Sequence, residues 1–268
     1  MIGAIIGDIA GSRFEQDNHR SKDFLFFHQS CCFTDDSVMT LAVAKALLVS
    51  SKDYSSLGAN TVKYMKEIGL GYPKCGYSGK FYSFLRNRNP KPYNSCGNGA
   101  AMRISAVPYC ASSLDEVKLL SRLVTEVSHN HPEGIKGAEA AAVCGYLALS
   151  GKTKDEIRRY VEDNYYHLDF TIDGIRDSYR NDGTCQNTVP QAIEAFLEST
   201  SFEDAIRTAV SLGGDSDTIA AICGGIAEPY YGVPNSMRST VKQAFLDKHL
   251  RSILDEFERL YPLKVLDE

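Results

Sequence analysis

Apolar residues along the chain recur at the three-to-four spacing of helices, and runs that alternate every second residue between turn signals are scarce, which predicts an all-α fold. Val189, Ala192, Ile193, Phe196 and Leu197 fall at i, i+3, i+4, i+7 and i+8, and Phe202, Ala205, Ile206 and Ala209 continue the pattern after a short polar turn. Two amphipathic helices follow from that. Helix starts are marked by Ser113 with Glu116, Thr153 with Glu156 and Ser201 with Asp204, each reading as a capping box. Three further segments, 37–49, 135–149 and 218–227, are apolar or small nearly all round, the pattern of helices enclosed by other helices. In the first of them Lys45 is the one charged residue. Segment 71–99, rich in Gly, Pro, Asn and Tyr, reads as one long irregular region and as a candidate substrate rim.

With 268 residues, 43% of them hydrophobic, the chain can bury one large core, so a single domain over 1–268 is expected. A formal net charge of -5 gives no broad positive field for a phosphate backbone, and nucleic acid is not expected as a general partner, although a local basic patch stays compatible with it. No apolar run approaches the roughly 20 residues that span a bilayer, and no charged-then-apolar leader follows Met1. A cytoplasmic protein without membrane contact is expected. The eight cysteines contain no CxxC pair and read as reduced thiols, with Cys144 and Cys223 in the core.

The candidate chemistry lies in two acidic clusters. Thr34, Asp35, Asp36 and Ser37 precede the first enclosed segment, and Asp215, Ser216, Asp217 and Thr218 precede the last. Alone, either cluster reads as an N-cap, since Asp, Ser and Thr satisfy free amides at a helix start. Capping, however, needs one acceptor, and each cluster crowds two carboxylates and hydroxyls against an apolar helix. A hard divalent cation takes such oxygen ligands, and if the two helices meet, four carboxylates and two hydroxyls are enough for two cations. Neither CxxC nor HExxH is present for zinc. A third acidic element holds Asp8, a candidate hydrogen-bond acceptor behind the ligands, and Glu15, which by itself reads as solvated surface.

Five ordered motifs resemble those of the ADP-ribosylglycohydrolases: IGAIIGDIAGSRFE at 2–15, FTDDS at 33–37, GNGAAMR at 97–103, SH at 128–129 and GGDSDT at 213–218. The resemblance implies an orthogonal all-α bundle, a pair of Mg²⁺ or Mn²⁺ ions, and Thr34, Asp35, Asp36, Asp215, Asp217 and Thr218 as their ligands. It implies Glu15 on a loop near the scissile bond, with Asp35 and Asp36 as further candidates for proton transfer. Asn98, Gly99 and Met102 would belong to the loop that meets ADP-ribose, where glycines let amides reach an anion, and His129 would lie near the substrate. Tyr72, Tyr77, Tyr82 and Tyr93 are candidates for an aromatic face toward adenine. Loop 87–94 carries no acidic residue, so no catalytic carboxylate is expected from it. The activity implied is hydrolysis of an ADP-ribosyl bond to a protein or a small-molecule conjugate. The competing readings are a catalytically silent ADP-ribose binder and a metal-dependent phosphohydrolase.

Overall fold

Helical periodicity becomes, in the computed structural model, a bundle whose described residues are 1–262 and 265–266. Its helices are α1 (Ile2–Ser12), α2 (Asp35–Val49), α3 (Leu57–Gly69), α4 (Gly79–Arg86), the single turn α5 (Val107–Cys110), α6 (Leu114–Thr125) and α7 (Pro132–Leu149). There follow α8 (Lys154–Asn164), the single turn α9 (Ile172–Ile175), α10 (Val189–Glu198), α11 (Phe202–Val210), α12 (Ser216–Tyr231), α13 (Asn235–Thr240) and α14 (Lys248–Leu260). To the all-α expectation the structure adds one small parallel pair, β1 (Val233–Pro234) with β2 (Val265–Leu266), in which Val233 faces Val265.

The three segments with apolar residues all round are the enclosed helices α2, α7 and α12, as the pattern requires. Lys45, the one charge in segment 37–49, reaches Glu256 of α14 at 2.8 Å. A fourth enclosed helix is α1, in which every residue from Ile2 to Gly11 is buried. Gly3, Gly7 and Gly11 recur every fourth residue and so form one stripe. A methyl group on Gly7 would overlap the Ala220 carbonyl, and one on Gly3 the Gly224 carbonyl. The stripe therefore brings the α1 backbone directly onto α12.

Of the three expected capping boxes only Thr153 with Glu156 is reciprocal. Ser113 and Ser201 do accept the amides of Glu116 and Asp204, but those carboxylates reach back one residue further, to Ser112 and Thr200. Region 71–99 is also not irregular throughout. Ser78 caps α4 by accepting from the Phe81 amide at 3.3 Å, and Phe81, Phe84 and Leu85 bury one face of that helix. Its apolar stripe has only these three residues, so the surrounding Gly, Pro and Asn obscure it in the sequence.

Candidate functional site

Thr34 caps α2, its Oγ1 accepting from the Asp36 amide at 3.3 Å. A hydroxyl does the capping, so neither carboxylate of the pair is spent on it. Beneath them, fully buried Asp8 of α1 accepts from the Thr34 amide at 2.9 Å, from Thr34 Oγ1 at 2.7 Å and from the Ser37 amide at 3.0 Å, and Ser37 Oγ donates to it as well. Asp8 thereby fixes the first turn of α2 from behind. The Asp35 amide donates to the Cys75 carbonyl at 2.7 Å, tying the loop before α4 to the same turn.

At the start of α12 the chain turns through Gly213 and Gly214, with φ of 76° and 70°, a left-handed pair that only glycine adopts cheaply. Asp215 occupies the cap position yet caps nothing: its carboxylate accepts from Asn98 Nδ2 at 2.6 Å. The two acidic segments meet where Thr218 Oγ1 donates to Asp36 Oδ2 at 3.3 Å, across 182 positions of sequence. The Glu15 loop is held to the same corner. Phe14 stacks on His19 with ring centroids 4.4 Å apart, and Asn18 Oδ1 accepts from the Gly214 amide at 3.0 Å.

These groups surround one cavity of about 300 Å³. All the residues expected at the site line it: Glu15, Thr34, Asp35, Asp36, Asn98, Gly99, Met102, His129, Asp215, Asp217 and Thr218. The aromatic expectation is corrected, since the ring at the cavity is Phe81 and none of Tyr72, Tyr77, Tyr82 and Tyr93 lines it. Tyr72 is engaged elsewhere, donating to Asp247 at 2.7 Å. His131, which the sequence left without a role, caps α7 by accepting from the Glu133 amide at 3.1 Å.

The carboxylates load the cavity with costly charge. Burial, and then the charge of Asp8, raise Asp35 to about 7. Burial, Asp8 and Asp35 push Asp36 well above the usual carboxylate range, and burial with Asp36 does the same to Asp217. Asp8 itself is raised to about 6 by burial, against the pull of its hydrogen bonds from Ser37 and Thr34. Glu15, exposed at the mouth, is raised by partial desolvation and by Asp215.

Asp36 Oδ1 is buried and has no hydrogen-bond partner among the described residues. An orphaned carboxylate oxygen amid four mutually repelling carboxylates and two hydroxyls fits the donor chemistry of Mg²⁺ or Mn²⁺. Among the described residues no three carboxylate, imidazole or thiolate groups already enclose a single point. Cation binding would therefore draw on the threonine hydroxyls, on water and on side-chain rotation as well.

Opposite the acids lies an arrangement that sequence reasoning passed over. Arg103 is fully buried and has no acidic partner among the described residues. Its Nη2 donates to Ser128 Oγ at 2.8 Å, and Ser128 Oγ lies 2.8 Å from His129 Nδ1. Arg103 can only donate, so Ser128 accepts from it, and the serine keeps one proton and one lone pair toward Nδ1. His129 Nε2 stands beside Gly97 and Gly99 at the cavity, and it carries the ring proton when Nδ1 accepts from Ser128. Burial, and then the Arg103 charge, hold the imidazole well below its usual pKa, so it faces the cavity as a neutral ring. Arg103, lowered to about 10 by burial, remains a cation. Arginine in an otherwise apolar stretch after a glycine loop was the available signal.

The family model described as ADP-ribosylglycohydrolase matches residues 1–265. The chain belongs to the ADP-ribosylglycohydrolase family. Among its relatives is ADP-ribosylhydrolase ARH3 of Mus musculus, 24% identical over 322 residues that cover 90% of this chain and 85% of the relative. ADP-ribosylarginine hydrolase Tri1 of Pseudomonas putida (strain GB-1) is 25% identical over 296 residues, covering 100% of this chain and 79% of the relative. A solved structure titled "ADP-ribosylglycohydrolase-related protein complex" superposes with a TM-score of 0.70 at 21% identity over 97% of this chain and 95% of that chain, and so shares the fold. No helix among the described residues is long and apolar enough to cross a membrane.

Proposed function

We propose that this member of the ADP-ribosylglycohydrolase family hydrolyses the bond between the anomeric carbon of an ADP-ribosyl group and its acceptor, in a protein or a small conjugate, with two divalent cations, Mg²⁺ or Mn²⁺. The observation that carries the reading is the junction of residues 34–36 with 215–218 in one cavity that also presents Asn98, Gly99, Met102 and His129. Thr34, Asp35, Asp36, Asp215, Asp217 and Thr218 would hold the cations. Bound there, the cations supply charge stabilisation and grip on a vicinal diol.

The chain's own groups account for the remaining work. Gly99 and the Asn98 side chain line the polar side of the cavity, the Gly97 and Asn98 amides being held by Ser95 and Gly183, while Met102 and Phe81 present apolar surface. His129 donates from Nε2 without adding charge. In the reaction the bond from the anomeric carbon to the acceptor breaks with its electron pair going to the acceptor, and a water oxygen forms the new bond. Asp35, Asp36 and Glu15, which line the cavity, would orient that water or take its proton.

Chelator-stripped protein assayed on ADP-ribosylated arginine, serine and O-acetyl conjugates should release ADP-ribose only after Mg²⁺ or Mn²⁺ is restored, and Asp36→Ala should be inactive on all of them. Full turnover in excess chelator would refute the metal role. Binding heat without product would replace hydrolysis by silent binding, and release of inorganic phosphate would replace it by phosphohydrolysis.

A further inference from the structure

Asn98 stands where the turn Asn98–Ala100, the start of α10 and the start of α12 meet, and its backbone is already committed. Its N–H donates to the Gly183 carbonyl at 2.9 Å, and its carbonyl accepts from the Ala101 and Met102 amides at 2.8 and 3.1 Å. The side chain is committed as well. Nδ2 donates to Asp215 Oδ2 at 2.6 Å and to Thr188 Oγ1 at 3.3 Å. Turned the other way, the amide would set its own oxygen against a carboxylate oxygen, so Asp215 fixes which atom is the nitrogen. That nitrogen carries two protons, and both go to the protein. What the side chain keeps for a ligand is Oδ1, an acceptor, which suits a hydroxyl and not a phosphate oxygen.

Asp215 needs such a partner. It stands at the cap position of α12 with φ of -75° and ψ of 66°, makes no capping bond, and follows the left-handed glycines Gly213 and Gly214. Its own helix therefore does not fix its side chain. In the first acidic segment that task falls to Asp8, which holds Thr34 and Ser37 from behind. Asn98 takes the corresponding place at the second. Thr188, fully buried at the start of α10 and not part of the cavity wall, anchors the amide in turn. A neutral donor suits this place. An ammonium or guanidinium would orient Asp215 but also offset the charge that attracts a cation, whereas an amide orients it and leaves that charge intact.

We propose that Asn98 is a positioning residue for the cation pair: it holds Asp215 in the orientation that meets a divalent ion, and Thr188 holds Asn98. The inference rests on the two-cation reading above. It gives Asn98 a task different from that of Gly99 and Met102, its neighbours in the cavity wall. Hydrogen-bond partners one step out from a metal ligand set that ligand's direction, and losing one costs about 10- to 100-fold in metal affinity.

The test is a Mn²⁺ titration of chelator-stripped wild type, Asn98→Ala and Thr188→Val, read by electron paramagnetic resonance, with turnover of the arginine, serine and O-acetyl conjugates followed at each Mn²⁺ concentration. Asn98→Ala should weaken at least one Mn²⁺ by about 10-fold or more. Thr188→Val, which keeps the bond to Asp215 but frees its anchor, should weaken the same ion by a smaller factor. Thermal melts in chelator that match the wild type show that the variants fold; should one not, the other carries the comparison. Raising Mn²⁺ past the weakened constant should return Asn98→Ala turnover toward the wild type with KM for the conjugate unchanged. Unaltered Mn²⁺ affinity in the folded variants overturns the proposal. So does a raised KM that no Mn²⁺ concentration restores, which would make Asn98 a substrate contact. A wild type that binds no Mn²⁺ refutes the two-cation reading and this role with it. Mn²⁺ binding without turnover refutes the hydrolase reading alone, because the titration needs no substrate and still decides the role of Asn98.

Discussion

Ser128 stands between a group that only donates and a ring nitrogen that can take either role. The serine accepts from the guanidinium at 2.8 Å, and its oxygen lies 2.8 Å from His129 Nδ1. Its one proton, given to Nδ1, sets the tautomer of a ring that burial already keeps neutral, with the ring proton on Nε2. Ser128→Ala removes the link and also leaves a buried guanidinium nitrogen short of a partner, which costs about 1–3 kcal/mol of stability. Imidazole ¹⁵N shifts should report proton on Nε2 in the wild type and a mixture of tautomers in the variant, with kcat lower by about 10-fold and Ser128→Thr restoring much of both. An unchanged tautomer in Ser128→Ala would remove Arg103 from any positioning role. From sequence this chain of bonds was illegible: Ser128 and His129 are adjacent, but Arg103 joins them only because α6 and the turn after it fold back over the loop at 97–103.

At the scale of elements, the pattern of apolar residues located the helices where it was long enough to be periodic. α2, α7, α10, α11 and α12 follow the positions read from Ala, Ile, Leu, Val and Phe, because each buries a stripe or its whole circumference. α4 escaped because its stripe has three residues, and the depth of α1 went unread because what buries it is the absence of side chains. Its glycine stripe nevertheless makes a sharp prediction. In an open helix Gly→Ala gains up to about 1 kcal/mol, but a methyl on Gly7 would run into the Ala220 carbonyl, a backbone atom that cannot turn aside. Gly7→Ala should therefore lose about 2 kcal/mol or more, as overpacked cores do. At Gly58 of α3 the nearest atom to an added methyl is Val127 Cγ1 at 3.6 Å, an ordinary contact. Gly58→Ala should gain about 0.5 kcal/mol. Urea denaturation of both variants checks the pair, and equal effects would mean that the α1–α12 approach is looser than described.

Across the whole molecule, each half of the acidic site was readable from local sequence, but its closure was not, since nothing in residues 34–36 refers to residues 215–218. The junction is made by α1, which lies against both helices: Asp8 grips Thr34 and Ser37, and the Gly11 carbonyl accepts from Ser216 Oγ at 3.0 Å. The fold thus forces together carboxyls that repel one another, and this fixes the sign of a pH effect. Asp8, raised to about 6, Asp35, raised to about 7, and the strongly raised Asp36 and Asp217 bind more protons folded than unfolded between the ordinary value of about 4 and their raised values. Their contribution therefore falls as pH rises from about 4 through those values. His129 works the other way, because its depressed pKa lowers stability as pH drops below about 6.5, so a single profile mixes the two. Asp36→Asn separates them. In metal-free protein its Tm should exceed that of the wild type at pH 8, by about 2–4 °C for each kcal/mol of relieved repulsion, and the difference should vanish near pH 4, where the wild-type carboxyl is protonated. Added Mg²⁺ or Mn²⁺ should raise the wild-type Tm most at pH 8 and move the variant little, because cations that bind only the folded state stabilise it by mass action. A variant Tm that tracks the wild type at every pH, with and without the ion, would mean that the acidic segments do not share their charge.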